Sequence, residues 1–283
     1  MQDTQSPVTV ERESPACWRV TFDNPPLNLY DPEFVRGLSE TVATIEADPE
    51  VTVVVFQSAV PGYFMNHLDL LRTGEIDRTV SPRSGLSPWP DLATRIAHLP
   101  CVTVASIRGR ARGVGNEFSM ALDVRFASRE LAVFGQLEIG CGLFPGGGGT
   151  ERLFMHAGRA RALEVIVSGE DYDADIAERY GFVNRSLPDA ELDPFVDRFA
   201  TRVASFDRAA VATAKRQLAA LGGIPRPNDL AASEKAFFDL FATPAAQARI
   251  KDLLDRGLQE DGDLERNLGD RLGPVSIRAV MPS

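Results

Sequence analysis

The sequence predicts an α/β core followed by a helical C-terminal region. Two apolar, largely β-branched runs, Val51–Phe56 and Val102–Ile107, have the composition of strands covered on both faces. The second leads into a glycine-bearing turn and a helical pattern, a strand–turn–helix order that recurs along the first part of the chain. Beyond Asp189 helical periodicity dominates. We therefore place a core at residues 1–200 and a helical region at 201–283.

Taken in order, Val8–Glu13 and Cys17–Phe22 alternate around Ser14-Pro15, which predicts an edge hairpin. Asp31-Pro32 supplies an N-cap and a first-turn proline, and Phe34, Leu38, Val42 and Ile45 follow at helical spacing up to Asp48-Pro49. After the first buried strand, PGYFMNHLDLL (Pro61–Leu71) turns off as a ligand-facing segment. Gly74–Pro90 is rich in Gly, Ser, Pro and charge and reads as a loop, either a binding element or disordered. Leu92, Ile96 and Leu99 then predict a helix before the second buried strand. A helix over Gly113–Leu122 follows, with short strands at Val124–Ala127 and Leu131–Phe134. Thr150 caps a helix that Gly158 closes, and a second helix, Arg159–Val167, stops at Gly169. Asp173–Tyr180 is predicted helical and Phe182–Asn184 a short strand. The C-terminal helices fall at Leu192–Val203, Ala209–Leu221, Leu230–Phe241 and Ala245–Leu258, before a charged tail from Glu260.

Composition narrows the function. A formal charge of -10 opposes a nucleic-acid-binding surface, which needs clustered Lys and Arg. No apolar run approaches the roughly 18 residues of a membrane span. Cys17, Cys101 and Cys141 lie far apart with no CxxC pair, and the first residues carry no secretory pattern, so a reducing, cytoplasmic setting is expected.

The chemistry concentrates in two glycine-rich stretches. GRARGVGNEF (Gly109–Phe118) follows a buried strand, opens a helix and places Glu117 in its first turns. VFGQLEIG (Val133–Gly140) brings Glu138 just before GLFPGGGGTERL. Glycines allow close backbone approach, and a helix start presents free N–H groups to developing negative charge. Two carboxyls in a dry site would have their protonation equilibria pushed apart, which suits acid–base work. The plainer alternatives are an exposed helix acid at Glu117 and a glycine run that merely lets backbone pass. Neither glycine cluster is a dinucleotide fingerprint or a Walker loop. With only His67, His98 and His156, and no ligand spacing, no metal is expected. There is no Gly-x-Ser-x-Gly elbow, and nothing supports a Cys–His nucleophile.

Read together, NPPLNLY (Asn24–Tyr30), YFMNHLDL (Tyr63–Leu70), RGRARGVGNEFSMALDV (Arg108–Val124), FGQLEIGCGLFPGGGGTERL (Phe134–Leu153) and SGEDYDADIAERYGFVNRSL (Ser168–Leu187) resemble the enoyl-CoA hydratase/isomerase (crotonase) superfamily in order and spacing. The resemblance implies a ClpP/crotonase-type spiral of ββα units, with a helical C-terminal region that builds homotrimers or homohexamers. It implies an acyl-CoA thioester as substrate, with coenzyme A as the carrier and no metal or redox cofactor. Leu68 and Val114 match the two backbone oxyanion donors, and Glu117 and Glu138 match the hydratase acid pair. Retention of both acids favours reversible hydration of a 2-enoyl-CoA over double-bond isomerisation, thioester hydrolysis or a non-catalytic binding role. Substrate contacts are expected from Leu29, Met65, Asn66, His67, Arg112, Gly113, Gly142, Pro145 and Gly146. The chain departs from the family where A-G-A-D has become Asn66-His67-Leu68-Asp69 and L-G-G-G has become Arg112-Gly113-Val114-Gly115. His67 is read as a binding or structural residue. Arg112 is read either as a partner for a CoA phosphate or polar acyl group, or as one half of a salt bridge.

Overall fold

The computed structural model describes residues 6–76 and 84–274. The N-terminal hairpin pairs β1 (Val8–Ser14) with β2 (Cys17–Phe22) antiparallel. Helix α1 (Pro32–Ala47) starts where Asp31 accepts a hydrogen bond from Phe34 N–H. Three repeats of one unit follow. Strand β3 (Val53–Ser58) leads to β4 (Tyr63–Met65) and α2 (Pro88–Ala97); β5 (Val102–Ile107) to β6 (Arg110–Arg112) and α3 (Val114–Ala121); β7 (Val124–Ser128) to β8 (Val133–Gly135) and the helical run α4 (Gly149–Ser168). The first strand of each unit joins a six-stranded sheet, β1-β2-β3-β5-β7-β10, and the second joins a four-stranded sheet, β4-β6-β8-β9. Strands β2, β3, β5, β7 and β10 pair parallel, as do β4, β6 and β8. This is the spiral of ββα units.

Strand β9 (Asp171–Asp173) closes the smaller sheet antiparallel to β8 and passes into α5 (Ala174–Tyr180). The strand expected at Phe182–Asn184 lies instead at β10 (Arg185–Leu187). Phe182 and Val183 spend their N–H groups on Ala177 O at the end of α5, and both side chains enter the core, so the ladder begins only afterwards. Likewise the strand expected at Leu131–Phe134 is β8, because Ala132 N–H bonds back to Ser128 O and leaves Leu131 exposed in a turn. Gly158 breaks α4 at φ 77°, the break expected there. Part of the Gly74–Pro90 loop, 77–83, lies outside the described residues; its end is already helical, since α2 begins at Pro88.

Helix α6 (Asp189–Ala204) runs through residue 200 and packs Leu192, Val196 and Ala200 on Val53, Val55, Val104 and Phe126 of the large sheet. Helices α7 (Arg208–Leu221), α8 (Pro227–Phe241) and α9 (Pro244–Asp255) follow, and the charged tail forms two short helices, α10 (Asp263–Arg266) and α11 (Leu268–Arg271). The main core carries an aromatic cluster in which Phe118 meets Phe22 at 5.3 Å and Phe56 at 5.4 Å between ring centres. Phe118 thereby sets the rotation of α3 and the direction of its neighbour Glu117. Among the described residues, no helix is long and apolar enough to cross a membrane.

Candidate active site

Helix α3 begins where Gly113 turns the chain at φ 52°, a left-handed value that suits glycine. Gly113 C=O accepts from Glu117 N–H at 2.9 Å along the helix. The intervening peptide is trans, so Val114 N–H points the opposite way, out of the helix N-terminus. Gly115 lets this turn press against the end of β4, since a Cβ there would lie 1.7 Å from Met65 O. The chain after β4 runs beside Tyr30. Tyr30 N–H donates to His67 O at 3.1 Å, and Asp69 N–H donates to Tyr30 O at 3.2 Å. By the same planarity, Leu68 N–H points away from Tyr30. Among the described residues neither Leu68 N–H nor Val114 N–H donates to a protein group, and both residues line one cavity of about 360 Å³.

Glu117 and Glu138 line that same cavity. Glu117 Oε1 accepts from Gly147 N–H at 3.1 Å and Gly149 N–H at 2.9 Å, while Oε2 accepts from Trp89 Nε1 at 2.7 Å. Glu138 sits in a short 3₁₀ turn, Glu138–Cys141. Its Oε1 accepts from Gln136 Nε2 at 2.8 Å, and Gln136 Oε1 is held by Asn116 Nδ2 at 3.0 Å. Its Oε2 is buried without a partner.

Burial raises the pKa of Glu117 above the ordinary glutamate value, against the pull of Trp89, of the Arg152 charge and of the Gly149 and Gly147 N–H groups. Burial also raises Glu138, and there the Glu117 charge pushes further in the same direction. Two carboxyls so coupled favour holding one proton between them near neutrality, on Glu138 rather than Glu117. Arg152, fully buried, donates to Gly147 O at 3.0 Å and so braces the loop that holds Glu117.

The remaining cavity wall is mostly apolar, with Thr73, Ser87 and Glu234 as its polar members. Trp89 and Pro90 come from α2, Leu137, Cys141 and Leu143 from the Glu138 turn, Phe237 and Phe241 from α8, and Leu258 and Leu268 from the chain after α9. Of the residues expected at the site, His67, Leu68, Gly113, Val114, Glu117, Glu138 and Gly146 line this cavity; Leu29, Met65, Asn66, Gly142 and Pro145 do not. Leu29 packs instead with Leu27, Val60 and Tyr63. Met65 is buried in the main core, and Asn66 donates to Glu265 Oε1 at 2.7 Å.

Arg112 is placed away from the ligand contact considered for it and in its salt-bridge alternative. It is fully buried, with Nε and Nη2 at 2.8 and 2.5 Å from the two Asp171 carboxylate oxygens and Nη1 on Glu265 O. Nη2 also reaches Arg266 O at 3.3 Å, and a guanidinium fully buried among these acceptors is not presented to a phosphate. Trp89, Gln136, Arg152 and Glu265 are site residues that sequence reasoning did not single out. Gln136 and Arg152 had a signal, in the FGQLEIG and TERL stretches. Among the described residues no cluster of three or more His, Cys, Asp or Glu side chains is arranged to hold a metal ion.

Two N–H groups without a protein acceptor among the described residues and two carboxyls, all lining one largely apolar cavity, invite comparison with known proteins. The enoyl-CoA hydratase/isomerase family model matches residues 12–259. The chain belongs to the enoyl-CoA hydratase/isomerase family. Among its hydratase relatives, the short-chain-enoyl-CoA hydratase of Clostridium acetobutylicum is 29% identical over 225 residues, covering 79% of this chain and 85% of that protein. A Streptomyces avermitilis structure assigned provisionally as an enoyl-CoA hydratase superposes with a TM-score of 0.91 at 37% identity, covering 98% of this chain and 99% of that one. An enoyl-CoA hydratase structure from Mycobacterium avium subsp. paratuberculosis K-10 gives a TM-score of 0.78 at 26% identity, over 87% of this chain and 98% of its own. The fold is that of the crotonase superfamily.

Proposed function

We propose that the protein is an enoyl-CoA hydratase-type lyase that adds water reversibly across the C2–C3 double bond of a 2-enoyl-CoA with an apolar acyl chain. The observation that carries this reading is the convergence of Glu117, Glu138, Leu68 and Val114 on one cavity. In this reading the thioester oxygen accepts from Leu68 and Val114 N–H, and negative charge developing there is stabilised by preset donors. Glu117 Oε1 already accepts two hydrogen bonds and Oε2 one, which leaves a lone pair on Oε2 for water. Glu117 is therefore the base that takes the water proton as oxygen attacks C3. Glu138 Oε1 accepts from Gln136, so its proton resides on the unpartnered Oε2, and it passes from there to C2. The proton left on Glu117 then passes to Glu138 before the next turnover, and dehydration runs the same transfers backwards.

Hydration is redox-neutral and needs only these groups, so the proposal includes neither a metal nor a redox cofactor. It includes a homo-oligomer, trimer or hexamer, built with the helical region 201–283, where Leu218 and Leu221 of α7 stand exposed, and a cytoplasmic setting. The test is turnover of 2-enoyl-CoA thioesters that are short, long, branched or aromatic, with product masses recorded for the wild type and for Glu117→Gln and Glu138→Gln. Gain of one water by the wild type, lost in both variants, is the expected result. A shifted alkene would move the assignment to isomerase, and a free acid with thiol to hydrolase.

A further inference from the structure

His67 stands beside the two oxyanion turns, yet the acid–base chemistry above does not use it. It lines the cavity, and its ring is held at both nitrogens: Nδ1 lies 3.1 Å from Leu68 O and Nε2 lies 2.9 Å from Glu265 Oε1. Both partners are acceptors, and a ring that donates at both nitrogens is an imidazolium. Glu265 comes from α10, almost two hundred residues further along the chain. It is fully buried, and its carboxylate also accepts from Asn66 Nδ2 at 2.7 Å and Gln259 N–H at 2.9 Å. Its backbone carbonyl accepts from Arg112, whose guanidinium is fixed by Asp171. A built-up polar framework thus ends on one ring, and that ring holds one carbonyl.

That carbonyl is significant. Leu68 N–H belongs to the His67–Leu68 peptide, which Tyr30 holds through His67 O. The following peptide is held at both its groups, Asp69 N–H by Tyr30 O and Leu68 O by the His67 ring. The two planes flanking the Leu68 Cα are therefore fixed by separate hydrogen bonds, leaving Leu68 N–H little freedom to swing. His67 abuts the second turn at its Cβ, since a Cβ on Gly113 would lie 3.3 Å from it on one side and 3.4 Å from Glu138 Oε1 on the other.

We propose that His67, anchored by Glu265, is a positioning residue that presets the Leu68 N–H for the oxyanion of a bound thioester. The inference rests on the thioester-binding reading of the cavity, but it concerns oxyanion stabilisation whichever acyl-CoA reaction follows. Charged or titratable groups facing the ring are Glu265 from α10, Arg112 from β6 and Glu138 from the opposite turn.

The test uses the full-length protein and acetoacetyl-CoA, whose enolate has a near-ultraviolet band that reports charge stabilisation without turnover. The variants are His67→Ala, His67→Asn and Glu265→Gln, each checked for a single cooperative melting transition well above the assay temperature. Asn Nδ2 occupies nearly the place of the His Nδ1 and can still donate to Leu68 O. The expected order of bound enolate is wild type, then Asn, then Ala. In hydration, kcat should fall about tenfold in Ala with KM within about twofold, a fraction of the 10²–10³ that loss of a whole oxyanion donor costs. In Glu265→Gln the alkaline limb of enolate binding should move to lower pH, because the ring loses its counter-charge. A folded His67→Ala protein with wild-type enolate band and kcat would overturn the proposal, as would an Asn variant no better than Ala. A wild type that binds no acetoacetyl-CoA would overturn the thioester reading instead.

Discussion

Trp89 Nε1 donates to Glu117 Oε2 at 2.7 Å, joining the helix of one ββα unit to the acid of the next. This bond supports the charged form of a carboxyl that burial drives towards neutrality. Replacing Trp89 with Phe keeps most of the apolar wall and removes the donor. The Glu117 pKa then rises further, by about one pH unit for a charge-assisted bond. The acidic limb of kcat against pH should move upward by that amount, so the variant loses most activity below neutrality and recovers part of it at higher pH. An unmoved limb would separate Glu117 from the rate.

Glu117→Gln and Glu138→Gln conserve shape and remove proton transfer. Each should lower kcat by about 10²–10⁴. The melting temperature of Glu138→Gln should not fall, because a neutral amide relieves the cost of burying that acid; in Glu117→Gln it should fall, because the amide NH2 meets one of the three N–H donors that held the carboxylate. Equal losses in the two variants and in the double variant would mark the pair as one proton-handling unit.

Gly147 passes so close to both partners that a Cβ would lie 2.1 Å from the Trp89 ring and 2.2 Å from Glu117 Oε2. Gly147→Ala should therefore displace the carboxyl, lowering kcat and destabilising the fold by about 1–3 kcal/mol, the usual cost of overpacking. Steady-state kinetics and urea unfolding would check both effects.

Arg112→Ala leaves Asp171 buried without its counter-ion and should cost about 3–5 kcal/mol. Its effect on KM for the CoA ester should be small, since the side chain is buried away from the cavity. A large KM increase with unchanged stability would contradict this placement.

Glu265 and His67 give stability a pH signature. Burial pushes Glu265 up, but the His67 charge and the hydrogen bonds from His67, Gln259 and Asn66 outweigh it and hold the carboxyl at about 2. Burial pushes His67 down, but the Glu265 charge and hydrogen bond outweigh it and raise the ring above its ordinary 6.5. The Glu265 contribution is present above its ordinary 4.5 and is lost as pH falls towards 2. The His67 contribution is present below 6.5 and is lost as pH rises through the raised value. The difference in urea midpoint between the wild type and Glu265→Gln should thus be greatest between these ordinary values and shrink on both sides.

What the sequence revealed and what it hid follow from the range of the contacts. Glu117 and Glu138 stand out because each lies in an apolar stretch bounded by glycines, a local pattern. The donors that tune them come from elsewhere: Trp89 is 28 positions from Glu117, and Gly147 and Gly149 are 30 and 32. Trp89 lies at the end of a stretch whose Pro, Ser and Gly content signals a loop, although Pro88 opens a helix there. Glu265 sits in a charged tail with no helical periodicity, and only the fold brings it 2.9 Å from His67. Arg112 beside a ligand turn has the sequence context of an anion contact, until Asp171 arrives from β9 to neutralise it. The Phe182–Asn184 segment is apolar enough for a strand, but Gly181 and the end of α5 claim its backbone first.

The central claim is tested most directly by incubating the protein with a 2-enoyl-CoA of apolar chain in ¹⁸O-enriched water and weighing the product. The account predicts a 3-hydroxyacyl-CoA carrying the label at C3, formed by the wild type and lost with Glu117→Gln. A product of unchanged mass, or labelled free acid with released CoA, would contradict it.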